Sequence, residues 1–153
     1  MPTPDDTRLL LDVMLGTLTT YLRMCGYDAA YALDRDIEAD DALIELTIEE
    51  DRTLLTRDVE LANRVEPSIT IESRNLTDQL RELDAAGFEL SLDQPRRCSI
   101  CNGRLELFDP DEPTPSFAPP PSERTVWRCR RCGQPFWKGS HWDDVRDRLD
   151  RIS

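Results

Sequence analysis

Short apolar runs alternate with amphipathic segments along the first half of the chain. Residues 9–11 form a continuous leucine run that ends at Asp12, a pattern typical of a buried strand. Leu15, Leu18 and Leu22 follow at roughly helical spacing, and their segment ends at Gly26, a residue suited to a helix C-terminus. The pattern predicts a strand followed directly by a helix.

The same alternation continues to residue 87. Three further runs have the composition of short strands, residues 29–32, 53–56 and 68–71, and helical patterns begin at residues 40, 58 and 75. In the segment that begins at residue 40, Leu43, Leu46 and Ile48 are expected to face the core. Strands that alternate with helices predict an α/β fold with a parallel sheet, in which ligands bind beyond the carboxyl ends of the strands.

Four of the five cysteines form two CxxC pairs separated by 27 residues: Cys98, Cys101, Cys129 and Cys132. Four thiolates close a tetrahedral shell around zinc and leave no open position, so the spacing predicts a structural zinc rather than a catalytic one. Two disulfides or a redox pair are the alternatives, and the expected lack of a secretory leader favours the metal. The fifth cysteine, Cys25, lies in an apolar setting and is expected to be buried packing.

The boundaries of three units follow from these patterns. Residues 1–94 form the α/β domain, residues 95–142 a small zinc ribbon, and residues 143–153 a short charged helix. Six prolines lie between Asp109 and Ser122. This part of the ribbon cannot be a central strand or helix, and we expect an extended loop.

The charge of the chain is strongly acidic overall but unevenly distributed. A net charge of −12 by itself argues against a nucleic-acid partner, yet residues 96–142 carry eight basic side chains against five acidic ones. Arginine also outnumbers lysine eighteen to one and Asp outnumbers Glu, which is consistent with adaptation to high salt. The basic segment predicts RNA contacts, for which the candidates are Arg97, Arg128, Arg131 and Lys138. The alternative is that these residues only balance the acidic domain and that the neighbouring aromatic residues form the ribbon core.

Membrane association is not expected. No apolar run approaches the roughly 20 residues that a membrane helix needs. Residues 1–8 are polar and acidic and lack the apolar stretch of a signal peptide. These features predict a cytoplasmic protein.

An acidic set, Asp12, Asp40, Asp41 and Asp58, lies where predicted strands end or a helix begins. Carboxylates at the ends of adjacent parallel strands suit Mg²⁺ or Mn²⁺, which activate water and stabilise a phosphoryl transition state. Asp12 is the best placed, because it directly ends an apolar strand. Each residue also has an ordinary alternative, either solvated surface or, for Asp40, a helix cap.

The chain resembles a known family from near its beginning to near its end. Residues 11–16 (LDVMLG) and 22–28 (LRMCGYD) resemble the opening of the PIN-like RNase domain named for the C-terminal region of the mutator exonuclease, the Mut-seven-C family. Residues 40–43 and 54–61 resemble its next two blocks, and residues 127–142 resemble its zinc-ribbon end. The Thr-Arg-Asp block at 56–58 and the Gly-Ser-His block at 139–141 are the most specific parts.

The resemblance implies a three-layer PIN-like fold, a divalent metal held by carboxylates, and cleavage of RNA. By carry-over, Asp12, Asp40 and Asp58 are the metal ligands, with Asp41 as an alternative to Asp40. Arg57 is a candidate phosphate contact or a structural ion pair, and His141 is a candidate contact to the scissile phosphate or a structural residue. Where PIN nucleases usually have a further acidic residue after the next strand, this chain offers only Glu72.

We therefore expect a metal-dependent ribonuclease whose zinc ribbon binds RNA. The rival from another class is a non-catalytic RNA-binding adaptor with an inert acidic site. A phosphatase of the HAD type fits poorly, because Met14 stands where that motif needs a second Asp and Gly16 comes one position late.

Overall fold

The computed structural model describes residues 2–152. A parallel sheet with strand order β2-β1-β3-β4 forms its first part. The strands are β1 (Arg8–Leu11), β2 (Asp28–Tyr31), β3 (Thr53–Thr56) and β4 (Ser68–Thr70). The helices between and after them are α1 (Gly16–Met24), α2 (Asp40–Glu49), α3 (Val59–Asn63) and α4 (Leu76–Ala85). The predicted α/β fold with a parallel sheet is confirmed.

The sheet is covered by helices on both faces, because successive side chains of a strand point to opposite sides. Leu9 and Leu11 of β1 pack with α1 and α4 in one buried cluster. Leu10, from the same strand, packs with α2 and α3 in a second cluster. The result is three layers with both faces of the sheet inside the protein.

One core position differs from the expectation. Ile48 of α2 is 72% exposed, whereas Thr47 is buried at 3% exposure. The reason is the helical period: Thr47 lies four residues after Leu43 and shares its face, while Ile48 lies five residues after it and turns away. Thr47 is tolerated inside because its hydroxyl donates to the Leu43 carbonyl at 2.7 Å.

The second part of the fold is an antiparallel ribbon with strand order β5-β6-β7. Its strands are β5 (Leu105–Leu107), β6 (Trp127–Cys129) and β7 (Pro135–Phe136). The four clustered cysteines lie in and around these strands, which is compatible with a zinc ribbon. The proline-rich stretch between β5 and β6 contains no strand or helix.

The last helix, α5 (Ser140–Asp150), leaves the ribbon and returns to the α/β core. Val145 and Leu149 belong to the buried cluster that contains Leu18 of α1 and Leu80 of α4. The Arg148 guanidinium donates to a threonine hydroxyl of α4 at 2.9 Å. The ribbon is therefore flanked in sequence, on both sides, by segments of one hydrophobic core.

Within residues 2–152, none of the helices is both long enough and apolar enough to cross a membrane.

Candidate functional site

A buried hydroxyl links two of the predicted acidic residues at the carboxyl edge of the sheet. Asp12 follows β1, and its Oδ2 accepts a hydrogen bond from Thr56 Oγ1 at 2.8 Å. Thr56 ends the neighbouring strand β3, is fully buried, and accepts the Asp58 N–H on the same oxygen at 3.0 Å. The other Asp12 oxygen accepts the Val13 N–H at 2.8 Å. Both ends of the link are thereby fixed to the ends of adjacent strands.

Asp58 is oriented by the helix that it begins. Its Oδ1 accepts the Glu60 and Leu61 N–H groups at 3.0 and 3.2 Å and so caps α3. The side chain remains exposed to solvent. We call Asp12, Asp40, Asp41 and Asp58 the acidic rim.

The two other rim residues open α2 and are tied to the end of α3. Arg64 donates to Asp41 Oδ1 at 2.7 Å, whereas its closest approach to Asp40 is 4.0 Å. The Asp40 side chain is also the less exposed of the two, 49% against 89%. Asp41 already has a cationic partner, which leaves Asp40 as the more available ligand.

Tyr31 joins the rim, although the sequence pattern did not single it out. It ends the edge strand β2, opposite Leu11 in the register. Its hydroxyl donates to the Val13 carbonyl at 2.6 Å. A Cβ at Gly16 would lie 2.9 Å from the Tyr31 hydroxyl oxygen. Burial, followed by the charges of Asp34 and Asp12, raises the pKa of Tyr31. The available signal was its position as the last residue of the strand beside β1.

Arg57 reaches along the rim rather than pairing with Asp58. Its Nη2 donates to the Glu72 carbonyl at 3.3 Å, just past β4. Its Nε–H is buried and has no hydrogen-bond partner in the described part of the chain. Glu72 itself is exposed, and its N–H donates to Glu82 Oε1 at 2.8 Å. The guanidinium therefore keeps donor capacity beside the rim.

The four predicted cysteine ligands come together as a closed cluster. Their Sγ atoms all lie within 4.8 Å of one another. Cys98 and Cys132 approach to 3.7 Å, and Cys101 and Cys129 to 3.5 Å. A disulfide requires about 2.0 Å, whereas tetrahedral sulfur ligands at about 2.3 Å from a metal lie about 3.8 Å apart. The spacing fits a four-sulfur metal site and excludes disulfides between these pairs.

Backbone groups also prepare this cluster for metal. Burial tends to raise the pKa of Cys129, but N–H groups of Cys132 and Arg131 point at its sulfur and hold the pKa at about 7. Those N–H to Sγ distances are 3.4 and 3.3 Å. A Cβ at Gly103 would lie only 2.7 Å from the same sulfur, so the turn requires glycine. Thiolates are the metal-binding form, and this geometry favours one. Across residues 2–152 this is the only group of three or more His, Cys, Asp or Glu side chains gathered closely enough to hold an ion, and the carboxylates of the acidic rim do not form a second one.

The ribbon is attached to the opposite, amino edge of the sheet through Asn102. Its Oδ1 accepts the Ala29 N–H of the edge strand β2 at 2.9 Å, and its Nδ2 donates to Asp28 Oδ1 at 2.7 Å. Arg23 of α1 donates to the Ala29 carbonyl and to the Ser99 and Ile100 carbonyls beside the first cysteine pair. We call Asp28, Asn102 and their arginine partners the amino-edge anchor.

Asp28 is the charged centre of the anchor. Its side chain is 16% exposed, and Arg52, 4% exposed, donates to it at 2.8 Å. Burial opposes ionisation, but the hydrogen bonds from Asn102 and Arg52 outweigh it and lower the pKa of Asp28 to about 2. Arg8 and Arg97 approach the second carboxylate oxygen at 3.5 and 3.7 Å. The ion cluster fixes the ribbon to the sheet.

Comparison with known protein families identifies the family of this chain. The sequence profile of the Mut7-C RNAse domain family matches residues 7–149. The chain belongs to this family. Its membership indicates an RNase, with RNA as the substrate class. No curated protein and no solved structure matches the chain.

In this Mut7-C chain the expected RNA-binding side chains have different surroundings. Arg128 is held by Glu106 and Glu112 at 3.1 and 2.9 Å. Arg97 is partly buried near Asp28, while Arg131 is exposed and donates to the Cys101 carbonyl at 3.0 Å. Lys138 lies over the Trp142 ring at 5.5 Å. Arg131 and Lys138 are the two without a carboxylate partner in residues 2–152.

His141 lies away from the acidic rim. It lines a cavity of about 120 Å³ together with Met24, Trp137 and Trp142. Met24 ends α1, whereas Asp12 precedes the start of that helix, which is about 13 Å long at 1.5 Å per residue. The structure therefore brings Asp12 and Asp58 together but does not bring His141 to them.

Proposed function

We propose that this Mut7-C chain is a metal-dependent ribonuclease that hydrolyses RNA phosphodiester bonds at the acidic rim. The observation that carries the proposal is the link from Asp12 through Thr56 to Asp58 at the carboxyl ends of two adjacent parallel strands. That edge is where open parallel sheets bind ligands. A PIN-like assignment of the fold and a cytoplasmic location belong to the same proposal, the latter supported by five cysteines free of disulfides.

Asp12, Asp58 and Asp40, with Asp41 as the alternative to Asp40, would hold Mg²⁺ or Mn²⁺. The donor set consists of carboxylate oxygens, which hard divalent cations prefer. Each Asp12 oxygen accepts one hydrogen bond and retains a further lone pair for a cation. When bound, such an ion supplies an activated water and stabilises charge on the phosphoryl group.

The chain's own residues hold the site and the substrate. Thr56 and the first turn of α3 fix the carboxylates before any ligand arrives. Arg57, which within residues 2–152 uses only Nη2 in a hydrogen bond, is proposed to contact a phosphate oxygen of the substrate through Nη1. His141 is assigned no part in the reaction because of its distance from the rim.

The ribbon is proposed to bind zinc and to contribute positive charge toward RNA. Four thiolates with tetrahedral spacing are typical of structural zinc, which has no open position for chemistry. The RNA contacts proposed for the ribbon are Arg97, Arg128, Arg131 and Lys138. Their support is the surplus of basic over acidic side chains in residues 96–142.

The test is cleavage of single-stranded RNA under single-turnover conditions with saturating Mn²⁺. Asp12→Asn keeps the shape of the side chain and removes its charge, so we expect a loss beyond the roughly 10- to 100-fold typical of an outer-shell change. Asp84→Asn, at an exposed position of α4, is the matched control and should cleave like wild type. Equal cleavage by Asp12→Asn and wild type would refute the proposed site.

A second candidate function is a non-catalytic RNA-binding adaptor. It is favoured by Arg64, which already neutralises Asp41, and by the Asp58 oxygen committed to capping α3. If the protein is an adaptor, the wild type and Asp12→Asn should bind RNA with equal affinity, and neither should cleave it in Mn²⁺.

A further inference from the structure

A cleft of about 580 Å³ lies between the edge strand β2 and the first cysteine turn of the ribbon. Six arginines line it: Arg8, Arg23, Arg35, Arg52, Arg97 and Arg131. The acidic residues in its lining are Asp28 and Asp34, and Glu50 pairs with Arg35 and Arg52. In a chain with a net charge of −12, this is a local surplus of positive charge inside a concave surface.

The arginines of the cleft divide into those that build it and those that remain available. Arg23 and Arg52 are each 4% exposed and bind backbone carbonyls of the sheet and the ribbon. Arg8 is 49% exposed, and its ion-pair partner is Asp28 at 3.5 Å, beyond good hydrogen-bond length. Arg131, also exposed, uses Nη1 on the Cys101 carbonyl. Arg8 and Arg131 therefore have donors left for an anion.

The cleft extends as far as Tyr31, whose hydroxyl binds the chain next to Asp12. Its lining includes residues from both ends of β2, from Asp28 at the amino edge to Tyr31 at the carboxyl edge. Tyr31 also donates to the Val13 carbonyl beside Asp12. Four strand residues span about 10 Å, enough for a short piece of one RNA strand.

We propose that this arginine cleft binds the phosphate backbone of single-stranded RNA and directs it to the rim. The inference rests on the proposed ribonuclease function and names where its substrate lies. A cleft of this volume is in the range that holds drug-sized ligands, so it admits one strand over a nucleotide or two rather than a duplex. Phosphate contacts of this kind position a strand without reading its sequence.

The cleft contains only some of the basic side chains proposed above as RNA contacts of the ribbon. Arg97 and Arg131 line the cleft, but Arg128 does not and is occupied by two glutamates. Arg8, from the first strand of the sheet, enters the binding set although it lies far from the ribbon in sequence. The RNA path is therefore formed jointly by the α/β part and the ribbon.

The experiment measures binding of a labelled oligouridylate of about 12 nucleotides to the zinc-loaded full chain, without added Mg²⁺ or Mn²⁺, over a range of salt. The double variant Arg8→Gln with Arg131→Gln removes two proposed contacts. The slope of log Kd against log salt should fall by about 1.4, since each phosphate contact to a single strand contributes about 0.7. The control, Arg81→Gln with Arg146→Gln, removes two exposed arginines from α4 and α5 and should leave the slope unchanged.

A third variant, Arg8→Lys with Arg131→Lys, keeps the charge and should restore most of the slope, which separates lost phosphate contacts from lost folding. Equal slopes for the cleft variant and wild type would overturn the cleft proposal. An equal fall in the cleft and control variants would do the same. Cleavage in Mn²⁺ is measured separately. If the wild type binds RNA through the cleft but does not cleave it, the proposed function is refuted and the proposed RNA-binding cleft is retained.

Discussion

Asp28 and Asp12 lie at opposite edges of the same parallel sheet and have opposite surroundings. Asp28, at the amino edge, has a buried arginine at 2.8 Å and two further arginines within 3.7 Å. Asp12, at the carboxyl edge, has a hydroxyl and an amide N–H as its hydrogen-bond donors. Within residues 2–152 no cationic side chain pairs with it.

The comparison distinguishes carboxylates whose charge is neutralised within the protein from carboxylates whose charge remains available to bind a cation. A carboxylate surrounded by fixed protein cations has its field cancelled and stabilises the fold that holds those cations. A carboxylate held only by neutral donors is equally well positioned but keeps its negative charge for an external cation. Asp28 in the amino-edge anchor is the first kind, and Asp12 in the acidic rim is the second.

The largest expected effect comes from removing zinc with a chelator. Structural zinc sites contribute about 10–16 kcal/mol in isolated peptides, so the ribbon should unfold. The Ala29 amide should then lose its protection from hydrogen exchange, because its acceptor, Asn102, belongs to the ribbon. The Asp12 amide, which donates to the Leu55 carbonyl at 3.1 Å, should stay protected. Loss of protection at both amides would show that the two edges are not independent.

A smaller effect is expected from Asp28→Asn. The substitution removes one of the two carboxylate partners of the buried Arg52, which keeps Glu50, and we expect the free energy of unfolding to fall by about 2 kcal/mol. Urea denaturation at neutral pH measures this change, with Asp84→Asn as an exposed control. If Asp28→Asn is as stable as the control, the anchor does not hold the ribbon through this ion pair.

Acid should weaken the same anchor. The pKa of Asp28 is about 2 in the folded protein against an ordinary value of 3.8. A lowered pKa contributes stability that is complete above about pH 4 and is lost as the pH falls toward 2, here about 2 kcal/mol. The measurement compares wild type with Asp28→Asn across this interval, since the difference isolates Asp28 from other carboxyl groups. A constant difference in stability would contradict the lowered pKa.

The smallest effect on folding is expected at the rim. Asp12→Asn should change the metal-free free energy of unfolding by less than about 1 kcal/mol. The amide oxygen can still accept the Val13 N–H, and the amide NH2 can donate to the Thr56 hydroxyl, which accepts as well as donates. Mn²⁺ at 100 times its Kd should stabilise wild type by about 2.7 kcal/mol and the variant much less. Thermal unfolding with and without Mn²⁺ checks both. A large loss of metal-free stability would place Asp12 in the same class as Asp28.

The sequence was sufficient to predict the first strand, the first helix and the cysteine cluster, whereas the last helix begins at Ser140 instead of the expected residue 143. The leucine run at 9–11, the leucines of α1 and the CxxC pairs each follow a local rule, and all three are observed as predicted. Local rules work here because strand burial, helical period and metal-ligand spacing depend on residues near one another along the chain.

The two edges required the tertiary structure. Asn102 meets Ala29 across 73 residues, and Arg23 meets Ile100 across 77. The residues next to Asn102 in sequence indicate only a turn. They do not show that its side chain also binds the edge strand β2. His141 resembled a rim residue by motif, but the return of α5 to the core carries it to the other end of α1.

Sequence patterns alone establish a parallel α/β sheet, a four-cysteine ribbon and the carboxylates that follow its strands. Which of those charges are cancelled and which remain available follows from the three-dimensional arrangement, because the field at a carboxylate depends on every cation and donor within a few ångströms. For Asp28 those groups come from β1, the loop before β3 and the ribbon.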